Sequence, residues 1–111
     1  NGGSPALPQT LAEELSLIPT KFVLYQNYPN PFNYSTQIRY FVPQSFIGKT
    51  ATFRVTDTLG QEITKFEIKL AQDGYHQVEF DARYHKLNSG VYIYSITIDN
   101  FSESKKMEFI K

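Results

Sequence analysis

The residues of this 111-residue chain whose types could do chemistry are two histidines, a set of aspartates at turn-like positions and several tyrosines outside the apolar alternation. His76 sits in or just before a strand, and His85 lies in a polar stretch between Arg83 and Lys86. A metal site needs ligands at set spacings on a firm frame, such as HExxH, and neither histidine belongs to such a pattern. Asp57, Asp73, Asp81 and Asp99 all fall at turns, where aspartate is favoured for backbone reasons alone. A calcium role for one of them stays open, though no Asp-x-Asp-x-Asp loop is present. No serine stands in a G-x-S-x-G elbow, no glycine-rich phosphate loop occurs, and the absence of cysteine removes thiolate chemistry and disulfides together. No catalytic, cofactor-binding or metal-binding residue is assigned, and the chain reads as a non-enzyme. Tyr25, Tyr28, Tyr34, Tyr75 and Tyr84 could stack on sugar rings; without a tryptophan platform, packing at the rim of strands is the preferred reading.

Eleven basic and eleven acidic residues cancel to a formal charge of zero, so nothing attracts nucleic acid or an anionic membrane surface. The one basic cluster, Lys105 and Lys106 with Lys111, is diluted by Glu103 and Glu108 and reads as a solvated strand face. No apolar run approaches the ~20 residues of a membrane helix. Asn1-Gly2-Gly3-Ser4 is not a signal peptide. The chain reads as a fragment from the end of a longer protein, and an export signal, if the domain is secreted, is expected upstream. Hydrophobic residues make up 41% and aromatic ones 15%, enough for one packed core.

The elements that must position these side chains are strands. Residues 1–21 are punctuated by Gly2, Gly3, Pro5, Pro8 and Pro19 and are expected to be a linker. Thr10 and Glu13 can close a capping box over a short helical turn within it. Phe22-Val23-Leu24 is the first strand. Tyr28-Pro29-Asn30-Pro31-Phe32-Asn33 is a rigid turn, because neither proline can donate to a ladder. Asn27, Asn30 and Asn33 are expected to bond nearby backbone, with Phe32 as a plug into the core. Ile38, Tyr40 and Val42 then alternate with polar neighbours, as do Ala51, Phe53 and Val55. Asp57 to Gly60 forms a hairpin turn. Ile63 is out of phase with Phe66, Ile68 and Leu70, which predicts a bulge near Thr64-Lys65. A turn at Asp73-Gly74 leads to a strand through Val78 and Phe80, and a polar loop from Asp81 to Asn88 tucks Leu87 beneath it. Tyr92, Tyr94, Ile96 and Ile98 share one face of the next strand, and Val91 and Ile93 make its start apolar on both faces, as for a central strand. A turn from Asp99 through Ser104 precedes the last strand, with Met107 and Phe109 inward. Short strands with turns every ~8–12 residues and no long helix predict an all-β fold, an immunoglobulin-like antiparallel β-sandwich of about seven strands.

Gln26-Asn27-Tyr28-Pro29-Asn30-Pro31-Phe32-Asn33, with Thr36, Ile38 and Tyr40, resembles the opening signature of the type A C-terminal sorting domain of type IX secretion cargo. Tyr34 stands where that signature carries a proline. The resemblance continues through Asp57-Thr58-Leu59-Gly60, Asp73-Gly74, Leu87-Asn88-Ser89-Gly90-Val91-Tyr92 and Lys105-Lys106-Met107 to Lys111, and covers roughly residues 22–111. It implies a sorting motif made of Gln26 to Asn33, Asp57, Gly60, Gly90, Tyr92, Lys105, Lys106, Met107 and Lys111. It further implies an immunoglobulin-like domain that carries a larger cargo, encoded upstream in the same chain, across the outer membrane of Bacteroidetes-like bacteria. Its implied partners are the type IX translocon and a sortase-like peptidase that cuts near Ser16 to Lys21. The implied route is through the periplasm to the cell surface or medium. Two other readings remain open at this level, a carbohydrate-binding module and a structural spacer of a secreted enzyme.

Overall fold

Apolar and polar side chains alternating in steps of two send one set of each strand inward, and two such sheets can bury their apolar faces only against each other. The computed structural model describes residues 18–111. The expected capping box at Thr10 and Glu13 lies outside these residues. Seven strands follow in order: β1 Val23–Leu24, β2 Ser35–Val42, β3 Thr50–Asp57, β4 Glu62–Lys69, β5 Gly74–Asp81, β6 Gly90–Ile98 and β7 Phe101–Phe109. They form a three-stranded sheet, β1-β2-β5, and a four-stranded sheet, β4-β3-β6-β7. All strand pairs are antiparallel. The sandwich expected from the alternation is the observed fold.

The core lies between the sheets. Ile38, Tyr40 and Val42 of β2 and Phe80 of β5 face Ala51, Phe53 and Val55 of β3, Tyr94, Ile96 and Ile98 of β6, and Met107 and Phe109 of β7. Each such large apolar side chain contributes about 1.5–3 kcal/mol on burial. Ile68 and Val78 pack against this cluster but stay partly exposed, because they sit on β4 and β5, each at the edge of its sheet. One aromatic breaks the inside–outside rule. Phe41 points away from the core yet is buried, covered by Tyr75 at 5.0 Å, while the Arg39 guanidinium lies over both the Tyr25 and Tyr75 rings.

One local expectation is met and two need correction. The β3–β4 register shifts between Val55 and Thr56, which pair with Thr64 and Glu62, so Ile63 is the extra residue and the bulge precedes Thr64-Lys65. The turn after β6 is only Asp99-Asn100, since Ile98 pairs with Phe101; Phe101 to Ser104 are strand. Val91 is exposed and Ile93 half-buried, so β6 is central in its sheet but has one face open to water.

The Asp57–Gly60 turn is built by its own residues. The Asp57 carboxylate accepts from the N–H groups of Leu59 at 2.9 Å and Gln61 at 2.8 Å. Gly60 has φ +87°, and a Cβ there would meet no atom within 4 Å. A substitution at Gly60 is therefore opposed by backbone conformation alone. Gly60→Val should cost at least about 1–2 kcal/mol, the usual penalty for a side chain in the left-handed region. Thermal melting of that variant checks this, and an unchanged melting temperature contradicts it.

Candidate functional site

The prolines of the Tyr28–Asn33 segment prevent a regular ladder, but the residues between them are placed by bonds to both sheets. Tyr28–Pro29 and Asn30–Pro31 are cis peptides. On one side Tyr28 and Gln37 exchange two backbone hydrogen bonds of 2.9 Å, tying the segment to β2. On the other side the segment lies along the outer edge of β7. The Gln26 amide donates to the Lys106 carbonyl at 2.7 Å, and Glu108 N–H donates to Asn30 Oδ1 at 2.9 Å. Phe32 N–H donates to Glu108 O at 3.0 Å, and Ile110 N–H donates to Phe32 O at 2.9 Å. Phe32 and Phe109 thus form a parallel bridge. Edge strands expose unpaired backbone groups; here the segment satisfies those of the last part of β7.

Asn27 and Tyr94 anchor this arrangement from within. Asn27 is buried, and its amide donates to Pro29 O and Thr36 Oγ1. The Thr36 hydroxyl in turn donates to Pro29 O at 2.8 Å. The Tyr94 hydroxyl accepts from Asn27 N–H at 2.9 Å and donates to Tyr25 O at 2.6 Å. Burial pushes this phenol up to about 12, so it stays protonated and keeps donating across the physiological range. Phe32 fills the end of the core against Phe80 and Phe109 and is 3% exposed, as a plug should be.

The asparagine expectation holds only in part. Asn27 bonds backbone two residues away, as foreseen. Asn30 instead reaches across to Glu108, because the neighbouring prolines offer it no N–H. Asn33 is exposed, and its side chain has no hydrogen-bond partner among the described residues. Tyr28 is 80% exposed, and Pro29, Asn30 and Pro31 are exposed beside it.

The remaining residues of the expected motif sort by strand. Gly90 pairs with Phe109 and Tyr92 with Met107, so both sit beside the end of β7. Tyr92 is buried and its hydroxyl donates to Asn88 O. A Cβ on Gly90 would meet no atom within 4 Å, so a close backbone approach does not explain this glycine. Asp57 pairs with Tyr92, which puts the Asp57–Gly60 turn at the same end of the sheet but two strands from β7, where it shapes its own hairpin. Met107 is buried, Lys106 and Lys111 are exposed, and Lys105 is half-buried on the inward face of the edge strand. Sequence reasoning missed the structural weight of Thr36 and Tyr94. A lone threonine in a signature and a tyrosine in an apolar alternation carry no local sign that their hydroxyls will clamp a loop.

The histidines have packing roles. His76 stacks on Tyr40 and bonds Gln72 O, and His85 stacks on Phe80 at 5.1 Å. Among the described residues no group of three or more His, Cys, Asp or Glu could hold a metal ion. Asp81 accepts two bonds from the Arg83 guanidinium and one from its backbone N–H, and these hold its carboxyl below the ordinary aspartate range. Its contribution is present at neutral pH and is lost only as pH falls through that depressed range.

The sequence model of a family described as "secretion system C-terminal sorting domain" matches residues 26–110. Among solved structures the chain is similar to dimeric latent PorU from Porphyromonas gingivalis, with a TM-score of 0.63 and 19% identity. The match covers 81% of this chain and 9% of that one, and it shows a shared fold. No curated protein matches the chain.

Proposed function

The chain belongs to the secretion system C-terminal sorting domain family, and we propose that the surface read by the export machinery is the unit formed by Gln26–Asn33 and the end of β7. The domain's function is that of a C-terminal sorting signal of the type IX system, a family that is non-catalytic in general. It is the tail of a cargo protein, recognised by that system and exported toward the cell surface or medium.

The finer reading is ours. The translocon takes the domain from the periplasm, and a sortase-like peptidase cuts in a linker, residues 1–21, ahead of the domain at 22–111. Support for a cut near the end of that linker comes from the exposure of Ile18, Thr20 and Lys21. Of the motif, the recognised residues are the exposed ones, Gln26, Tyr28 to Pro31, Asn33, Lys106 and Lys111, while Asn27, Phe32, Lys105, Met107, Asp57, Gly60, Gly90 and Tyr92 hold the frame that presents them. The observation that carries this reading is the bonding of Gln26, Asn30 and Phe32 to Lys106, Glu108 and Ile110. Two stretches about eighty residues apart in sequence present one surface. On it, Tyr28, Pro29 and Pro31 are exposed, and so is Lys106.

Charge reversal separates recognition from folding. Exposed substitutions usually change stability by about 0.5 kcal/mol or less. Lys106→Glu with Lys111→Glu should therefore leave the melting temperature close to that of the parent chain and reduce export of an attached cargo. The check is secreted against retained cargo, alongside melting of the purified variant. Normal export of the stable double variant would remove these lysines from the recognised surface.

A further inference from the structure

Next to the Gln26–Asn33 segment, on the side away from β2's centre, a hollow of about 330 Å³ opens between the segment's exit and the β5–β6 loop. Its floor is apolar, made by Ala82, Leu87 and Phe109, and Asn33 and Tyr34 form one wall. Arg83, Lys86 and Lys111 supply its side-chain charge, and no acidic side chain lines it. The one carboxylate bonded there, Asp81, is spent on Arg83 at 2.6 Å and is only 11% exposed. Arg83 also lies over the Tyr34 ring at 5.2 Å, which fixes that wall. Lys86 and Lys111 have no ion-pair partner among the described residues. In a chain of zero formal charge, this is a local cationic site over an apolar floor. Lys86 has φ +53°, a conformation lysine adopts at a cost, and it sits at the rim of the hollow.

We propose that this hollow docks an acidic peptide segment of the export machinery, with an apolar side chain seated on Leu87 and Phe109 and flanking carboxylates paired with Lys86 and Lys111. Charge complementarity selects the acidic partner, and the apolar floor selects a peptide over a bare anion. The inference rests on the sorting reading above and extends it to Tyr34, Arg83 and Lys86, which the sequence motif does not include.

The test uses the complete 111-residue chain, alone and as the tail of a reporter cargo. In solution, the probe is the blocked tripeptide Glu-Leu-Glu, followed by amide chemical shifts. Saturable shifts should cluster at Asn33 to Ser35 and Ala82 to Leu87. They should weaken at least tenfold in affinity with Gln-Leu-Gln or in the Lys86→Glu chain. Equal binding of the neutral peptide, or no localised shift, overturns the ionic site. In cells, Lys86→Glu should cut reporter export severalfold at unchanged melting temperature, while Lys65→Glu on β4 should not. Lys86→Gly guards against a folding artefact. It removes the same cation and relieves the positive φ, so it should be no less stable and still export poorly. Export of both Lys86 variants at the parent level overturns the docking role. Failure of the parent chain to carry the reporter would instead overturn the sorting reading, and this inference with it.

Discussion

Phe32→Ala should destabilise the chain by about 3–5 kcal/mol, the range for truncating a fully buried phenylalanine. The ring is 3% exposed and meets Phe109 at 5.3 Å and Phe80 at 6.1 Å. The cavity left behind cannot easily collapse. The backbone on both sides of the side chain is tied to β7 through Glu108 O and Ile110 N, and the flanking segment is held by Asn30. Such a loss is a large part of the ~5–15 kcal/mol that separates a folded domain from its unfolded chain. Urea or thermal unfolding of the purified variant measures it directly. A variant that melts like the parent but no longer exports cargo would make Phe32 a contact for the machinery rather than a plug.

The second large effect concerns one hydroxyl. Tyr94→Phe keeps the ring, which stacks on Phe53, and removes only the oxygen between Asn27 N–H and Tyr25 O. Each of those backbone groups left unpaired costs about 1–3 kcal/mol. The loss should therefore exceed that of an ordinary surface hydrogen bond, and it should loosen the entry to the Gln26–Asn33 segment. The pH dependence carries a separate signature. Burial raises this phenol from its ordinary value near 10 to about 12. A group held protonated in the folded state stabilises fully below its unfolded value and loses that contribution as pH rises through the folded one. Between pH 10 and 12, stability of the parent should fall more steeply than that of Tyr94→Phe. Parallel curves would show that the hydroxyl is not held as described.

The sandwich was legible because the period-2 alternation of Ile38-Tyr40-Val42, Phe53-Val55 and Tyr94-Ile96-Ile98 admits only one inward face. What depends on the partner strand was not. The phase break between Ile63 and Phe66 announced an extra residue, but β3 decides that Ile63 is the one left over. Ser102 to Ser104 read as part of a turn because they are polar. An edge strand tolerates polar residues on both faces, and the half-buried Glu103 and Lys105 are the inward charges that discourage further pairing. Phe32 as a plug followed from an aromatic inside a rigid turn. The bond from Glu108 to Asn30 did not, since nothing local links residues 78 positions apart. The cations of the hollow beside Phe109 escaped notice for the same reason: Arg83, Lys86 and Lys111 come together only when β7 passes the β5–β6 loop.

The most direct measurement is the distribution of a reporter protein in a bacterium that possesses a type IX secretion system. The reporter carries its own signal for crossing the inner membrane and is made with and without this chain at its C-terminus. If the chain is a sorting signal, the tailed reporter should appear at the cell surface or in the medium, and the untailed one should stay inside the outer membrane. The same distribution for both would contradict the account.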